Sequence, residues 1–293
     1  MKPLKPYLTY QEQINLLRER GMQISNEDYA IRYLHNYNYF HLNPYFKILL
    51  DTNDKFKPTT NFEDVTSMLH LDIRFKEVLW LYLQRIELKF KTSIAHSLAK
   101  SHTSYAFYSP QIYQSSNYYH DELRILETIK KRDSKREVIF HHENNYGGLY
   151  PIWVIVDLFS FSQVSLFYKN LKQKYQRLIS SENYPGLGNE HLESWIHAAV
   201  NFRNVIAHLD HINERTFNIS TISVDFFQRN NIESETVFKQ ILLISRLLDE
   251  EGFSMLLNTI KFAVENLNND LSCYGFPNNW NTILTDFRKE KLF

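Results

Sequence analysis

Arg203, Asn204 and His208 are the residues of this 293-residue chain best suited to chemistry. A guanidinium holds anionic oxygens two at a time. An imidazole exchanges protons near neutral pH. Side by side they suit proton transfer next to a phosphate. The segment Arg203-Asn204-Val205-Ile206-Ala207-His208 is an Arg-x4-His pattern. As a bare pattern it carries little, because 14 Arg and 12 His give about two Arg-x4-to-x6-His matches by chance. Three occur. The other two run from Arg136 to His141 and to His142, at the end of a charged segment, and read as chance matches.

The surroundings of Arg203 add weight. His197, Asn201, Asn204, His208 and His211 recur at steps of four, three, four and three, which on a helix is one polar stripe. Trp195, Ala199, Phe202, Ile206 and Leu209 supply apolar surface around it. A helix this apolar is expected to be buried, so its stripe must meet hydrogen-bond partners, a cavity or another subunit. Five residues turn a helix by about 500°, so Arg203 and His208 point ~140° apart. Either Arg203, a long side chain, curls toward His208, or the helix pairs with its copy in a second protomer.

Rival chemistries find less support. His208-Leu209-Asp210-His211 and His141-His142-Glu143 offer imidazoles, but no third or fourth metal ligand stands at a characteristic spacing. No cofactor or metal is expected. Cys273 is the only cysteine, which excludes an intramolecular disulfide and a multi-Cys zinc site. No Gly-rich phosphate loop is present, which disfavours an NTPase. The opening Met1-Lys2-Pro3-Leu4-Lys5-Pro6 lacks the apolar run of a signal peptide. No stretch approaches the ~20 apolar residues of a membrane span, so a reducing cytoplasm and no membrane partner are expected.

The 33 Lys and Arg equal the 33 Asp and Glu, which excludes a wholly basic nucleic-acid binder. The charge is uneven, with 16 basic and 9 acidic residues from Arg74 to Arg177 against 5 and 10 from Asp210 to Leu271. A basic middle can attract phosphate.

Seven Gly and eight Pro favour long helices with short joints. Thr9-Tyr10-Gln11-Glu12 reads as a capping box opening a helix to about Arg20. Ser25 is expected to cap a second helix, and residues 36–40 to form an irregular aromatic joint ending near Pro44. Asp51 to Thr60 reads as a loop. Asn61 is expected to cap a helix running to about Lys100, whose apolar positions follow a 3.6-residue period. One charged helix is expected over 119–141, one buried helix over 151–171, and the motif helix over 192–209. The β-branched stretch 217–227 could hold a short strand. Helices are expected near 235–249 and 254–267, and after Trp280. The reading is all-α, with an N-terminal extension over 1–60 and one main unit over 61–293.

Asn201-Phe202-Arg203-Asn204-Val205-Ile206-Ala207-His208 resembles the catalytic motif of the HEPN superfamily. Further segments resemble bacterial abortive-infection, Abi-like proteins of the AbiD/AbiF type. They are Lys5 to Gln13, Asn38-Tyr39-Phe40 with Asn43-Pro44-Tyr45, Leu71-Asp72-Ile73-Arg74-Phe75, Arg85-Ile86-Glu87, and Gly275 to Trp280. The likeness spans nearly the whole chain. It implies a HEPN-like helical bundle that dimerises so that two Arg-x4-His motifs share a cleft. It also implies metal-independent endoribonuclease activity in phage defence. Neutral His208 would take the proton of a ribose 2′-OH, which attacks the adjacent phosphate. Arg203 would hold that phosphate, and Asn204 would orient the imidazole or donate to the phosphate. The products would be a 2′,3′-cyclic phosphate and a 5′-OH. The resemblance also offers Arg85 and Glu87 as residues around His208; Lys91, the i,i+4 partner of Glu87, and Asn201 and His211 of the polar stripe are expected in supporting or RNA-binding roles. It admits a structured RNA as regulator. The alternative is a helical module that binds RNA or protein without cutting.

Overall fold

Side chains that compete for free backbone groups decide where the helices begin. In the computed structural model, which describes residues 4, 6–232, 234–267 and 271–292, the predicted capping box forms. The Glu12 N–H donates to the Thr9 hydroxyl, and the Thr9 N–H donates to the Glu12 carboxylate at 2.7 Å. It opens α1 (Tyr10–Glu19). Of the quoted opening segment, Lys5 lies outside the described residues.

The second helix, α2 (Glu27–Ile48), is capped by Asn26 and not by Ser25. The Asn26 amide oxygen is the one that reaches the Tyr29 N–H, at 2.9 Å. The expected aromatic joint is also narrower than the sequence suggests. Only Asn38 leaves helical geometry, at φ 50° and ψ 161°. Its side chain then accepts from the His41 N–H at 2.9 Å and restarts the helix. At ψ 161° Asn38 lies outside the left-handed helical region that Asn tolerates, so the kink is a strained point of the backbone.

α3 (Phe62–Ser101) is 40 residues long, about 60 Å at 1.5 Å per residue. Asn61 and Asp64 cap it reciprocally at 2.8 and 2.9 Å. Val65, Leu69, Leu79, Leu83, Ile86, Phe90, Ile94 and Leu98 are all buried, as their period requires. Two short 3-10 turns follow. The expected single charged helix is then two, α4 (Ser116–Arg132) and α5 (Glu137–Asn145). The chain turns at Asp133, whose carboxylate pairs with Arg132 and Arg136 and whose carbonyl accepts from the Arg136 N–H. Short polar side chains favour such local bonds over helix.

The buried stretch likewise splits into α6 (Ile152–Leu158) and α7 (Phe161–Asn170). Ser160 and Gln163 form a second capping box, which restarts the chain in a new direction. α8 (Gln173–Asn183) leads to the motif helix, α9 (Asn189–Ala207). The strand considered for 217–227 does not form. Residues 217–224 are irregular and lead into the short α10 (Asp225–Arg229). The N–H groups of Phe217, Thr221 and Ile222 bond instead to the Glu235 carbonyl, the Glu235 carboxylate and the Ser194 hydroxyl. α11 (Val237–Leu247), α12 (Glu250–Leu267) and α13 (Trp280–Lys289) complete an all-α fold with no strand among the described residues.

The chain forms two compact units. The first comprises residues 1–79 and 209–215, and the second residues 80–208 and 216–293. The first is built on Ile14, Leu17, Leu34, Phe46, Phe62 and Leu69, all nearly inaccessible. Tyr29, Tyr33 and Tyr37 stack along its α2 face. The second is centred on α9, which packs against α7, α8 and α11. Trp195 is fully buried there, and its indole N–H donates to the Ile222 carbonyl at 3.1 Å.

One buried carboxyl makes the second unit pH-sensitive. Glu122 is inaccessible; one oxygen accepts from Asn170 at 2.7 Å and the other has no partner among the described residues. Burial raises its carboxyl from 4.5 to about 7, against the pull of the Asn170 bond. Between those values the folded chain holds a proton that the unfolded chain has lost. Stability therefore falls as pH rises from 4.5 to about 7, by up to roughly 3 kcal/mol from this group. Glu122→Gln is expected to flatten that fall in urea unfolding measured across the window. An unchanged slope would assign it to other groups.

Candidate functional site

Arg203 leaves α9 half-buried, and its guanidinium meets three groups. It lies over the Trp80 ring, 5.4 Å from the centroid. It stands 3.8 Å from the Glu87 carboxylate, and it donates to the Asn204 side-chain oxygen at 3.1 Å. Glu87 in turn pairs with Lys91 at 3.0 Å. Trp80, Glu87 and Lys91 are spaced by seven and four residues, which puts them on one face of α3. The ammonium of Lys91 also reaches the Asp157 carbonyl at 3.5 Å. So Glu87 and Lys91 are more than an exposed i,i+4 pair: their side chains are only 19% and 12% accessible. Weak screening at such a site strengthens each charge contact. Trp80 was not singled out from the sequence, although its seven-residue step from Glu87 was the signal.

His208 sits where α9 stops. Its backbone N–H donates to the Asn204 carbonyl at 3.0 Å, while its imidazole is exposed and takes no hydrogen bond or ion pair among the described residues. No bond joins it to Arg203 within the chain. The next residue, Leu209, has φ 59° and a side chain 62% exposed. That left-handed stop is usually a glycine's place, and a leucine there is strained. It also ends the polar stripe, so His211 is not on the helix and Leu209 is not part of the helix's apolar surface.

The other nominated residues separate. Arg85 turns to Asp249 at 3.8 Å, Glu251 at 3.5 Å and the Met255 sulfur at 3.2 Å. Two residues along a helix is a turn of about 200°, which carries Arg85 away from Glu87. Asn201 donates to the His197 carbonyl at 2.9 Å and to its ring nitrogen at 3.2 Å. His211 belongs to the first unit, edge-on to Tyr45. Burial, with Arg215 nearby, lowers its imidazole pKa. The chance matches at Arg136 end on histidines engaged locally. His142 stacks on Tyr150 and bonds the Val138 carbonyl, and His141 meets Asn145.

The segment after Leu209 is held by a buried charge pair within the first unit. Asp72 and Lys76, one turn apart on α3, are 3.5 Å apart and almost inaccessible. Asp72 accepts from the Ile212 N–H at 3.1 Å and from the Tyr45 hydroxyl at 2.8 Å. Lys76 donates to the carbonyls of Leu209 and Asp210 at 3.4 and 3.2 Å. Burial and the Asp72 charge push the Tyr45 phenol far above its ordinary range, so it stays a donor. Two segments quoted for their resemblance, around Tyr45 and Asp72, thus meet at one anchor. Sequence reasoning had given neither a partner.

Among the described residues no three or more His, Cys, Asp or Glu side chains gather as a metal site. No described helix is long and apolar enough to cross a membrane.

Comparison with known families gives a match to the family described as Abi-like protein over residues 32–214, well over half the chain. The match takes in most of α2, the Asp72–Lys76 anchor and the whole Arg203–His208 motif. No curated protein and no solved structure matches the chain.

Proposed function

The chain belongs to the Abi-like protein family, whose proteins act in abortive infection, a form of phage defence; from that membership we propose a HEPN-type, metal-independent endoribonuclease that works in the cytoplasm as a homodimer. The observation that carries this reading is the pairing of a held guanidinium with an uncommitted imidazole on one helix. Arg203 is oriented by Trp80, Glu87 and Asn204, and His208 is exposed at the helix end.

In this reading neutral His208 removes the proton from a ribose 2′-OH. The 2′ oxygen attacks the adjacent phosphorus, and the bond to the 5′ oxygen breaks. A 2′,3′-cyclic phosphate and a 5′-OH result. Arg203 stabilises the charge gathering on the phosphate oxygens. The need for a 2′-OH makes RNA the substrate. Glu87 keeps the guanidinium extended, and Lys91 limits the net charge at that point. Since Arg203 and His208 do not bond within one chain, a second copy completes the cleft. A structured RNA would serve as a regulatory partner.

The separation of Arg203 from His208 equally favours a module that holds RNA or protein without cutting it. One experiment divides the readings. Purified protein is incubated with RNA in EDTA, and the ends of the products are identified. Cleavage leaving 2′,3′-cyclic phosphates is expected. Tight binding of intact RNA would establish the binding module, and loss of cleavage in EDTA would point to a metal.

A further inference from the structure

A cleft of about 380 Å³ runs along α9, with α7 as its other wall. Glu193, His197, Asn201 and Asn204 line it from α9, and Leu166 and Lys169 from α7. Asn204 is the residue that accepts from Arg203, so the cleft opens beside the proposed phosphate site. Glu193 lies 11 residues earlier, ~16 Å along the helix.

Glu193 is the unusual member of this lining. It is half-buried, and its one hydrogen bond among the described residues comes from Gln176 at a long 3.4 Å. Burial raises its carboxyl pKa, against opposing pulls from Lys169, Gln176 and His197. No salt bridge closes between Glu193 and Lys169, although both face the cleft. A carboxylate taken partly out of water without a close cation needs donors from elsewhere. Leu166, 46% exposed, offers an apolar surface in the same space.

We propose that this cleft is a base-reading subsite for single-stranded RNA, in which Glu193 accepts the two adjacent N–H donors of a guanine. Adenine and cytosine present a single amino group and uracil a single ring N–H, so guanine alone fills both carboxylate oxygens. Lys169 attracts a phosphate of the same strand. The distance from Asn204 makes the base read here one that flanks the cut, not the one at it. This subsite rests on the reading of the protein as an RNA-acting enzyme.

The test uses the whole protein and four fluorescein-labelled 2′-O-methyl pentanucleotides, UUGUU, UUAUU, UUCUU and UUUUU, followed by anisotropy. The guanine probe should bind about tenfold more tightly than the others, the low end for a bidentate base contact. Glu193→Gln should reduce that preference to about twofold or less, since its amide places a donor where an acceptor is required. Equal binding of the four probes, no binding of any, or a preference retained by Glu193→Gln would each overturn the proposal. The probes lack a 2′-OH, so the outcome is independent of cleavage. A guanine preference without RNA cleavage would keep the subsite and remove the ribonuclease. Cleavage without base preference would do the reverse.

Discussion

His208→Ala should cut RNA between 10²- and 10⁴-fold more slowly than the parent, the range for losing a positioned general base. It should do so with little change in stability, because the imidazole is exposed and bonded to nothing among the described residues. Surface substitutions of that kind stay within about 0.5 kcal/mol. Arg203→Ala should match the activity loss but also leave Trp80 without the cation over its ring and Glu87 with Lys91 alone. Arg203→Lys should rescue little, because an ammonium cannot bind phosphate through two parallel N–H groups. The measurement is initial cleavage rate beside urea unfolding for each variant. A His208→Ala protein that cuts at the parent's rate removes the proposed chemistry.

Asp72→Ala should cost about 3–5 kcal/mol of stability, the range for removing one partner of a buried ion pair. The Ile212 N–H and the Tyr45 hydroxyl lose the acceptor they bond, and the Lys76 ammonium loses its counter-charge while keeping the Leu209 and Asp210 carbonyls. Urea unfolding followed by circular dichroism reads the loss. The double variant Asp72→Ala/Lys76→Met should recover part of it, because no uncompensated charge remains. A loss under about 1 kcal/mol would mean that water reaches Lys76 when the carboxylate is gone, and that the pair is no anchor.

The sequence carried the helices whose signals are local. The Thr9 and Asn61 caps and the period of α3 are readable within a few residues of where they act. The break at Ser160 was missed because apolar spacing continues across it, and the one at Asp133 because the charged run 130–137 holds no apolar period to interrupt. The Ser160–Gln163 box was nonetheless written in the chain. The site was legible to the extent that spacing encodes direction. Glu87 and Lys91 share a face with Trp80, whereas Arg85 was nominated by the family resemblance and points elsewhere. The Asp72 anchor was not legible in mechanism, since its partner Ile212 stands 140 residues away. No periodicity spans such a distance.

That distance sets an order of events during synthesis. The first unit includes residues 209–215, so the emerging chain reaches residue 79 with its anchor incomplete. Asp72 and Lys76 must wait for about 140 more residues, on the order of ten seconds at ribosomal speed. Through that interval the pair faces water and disfavours burial of its own helix face. The segment that finally satisfies it begins one residue after His208. The N-terminal unit therefore completes its anchor only after residues 203–208 have been made.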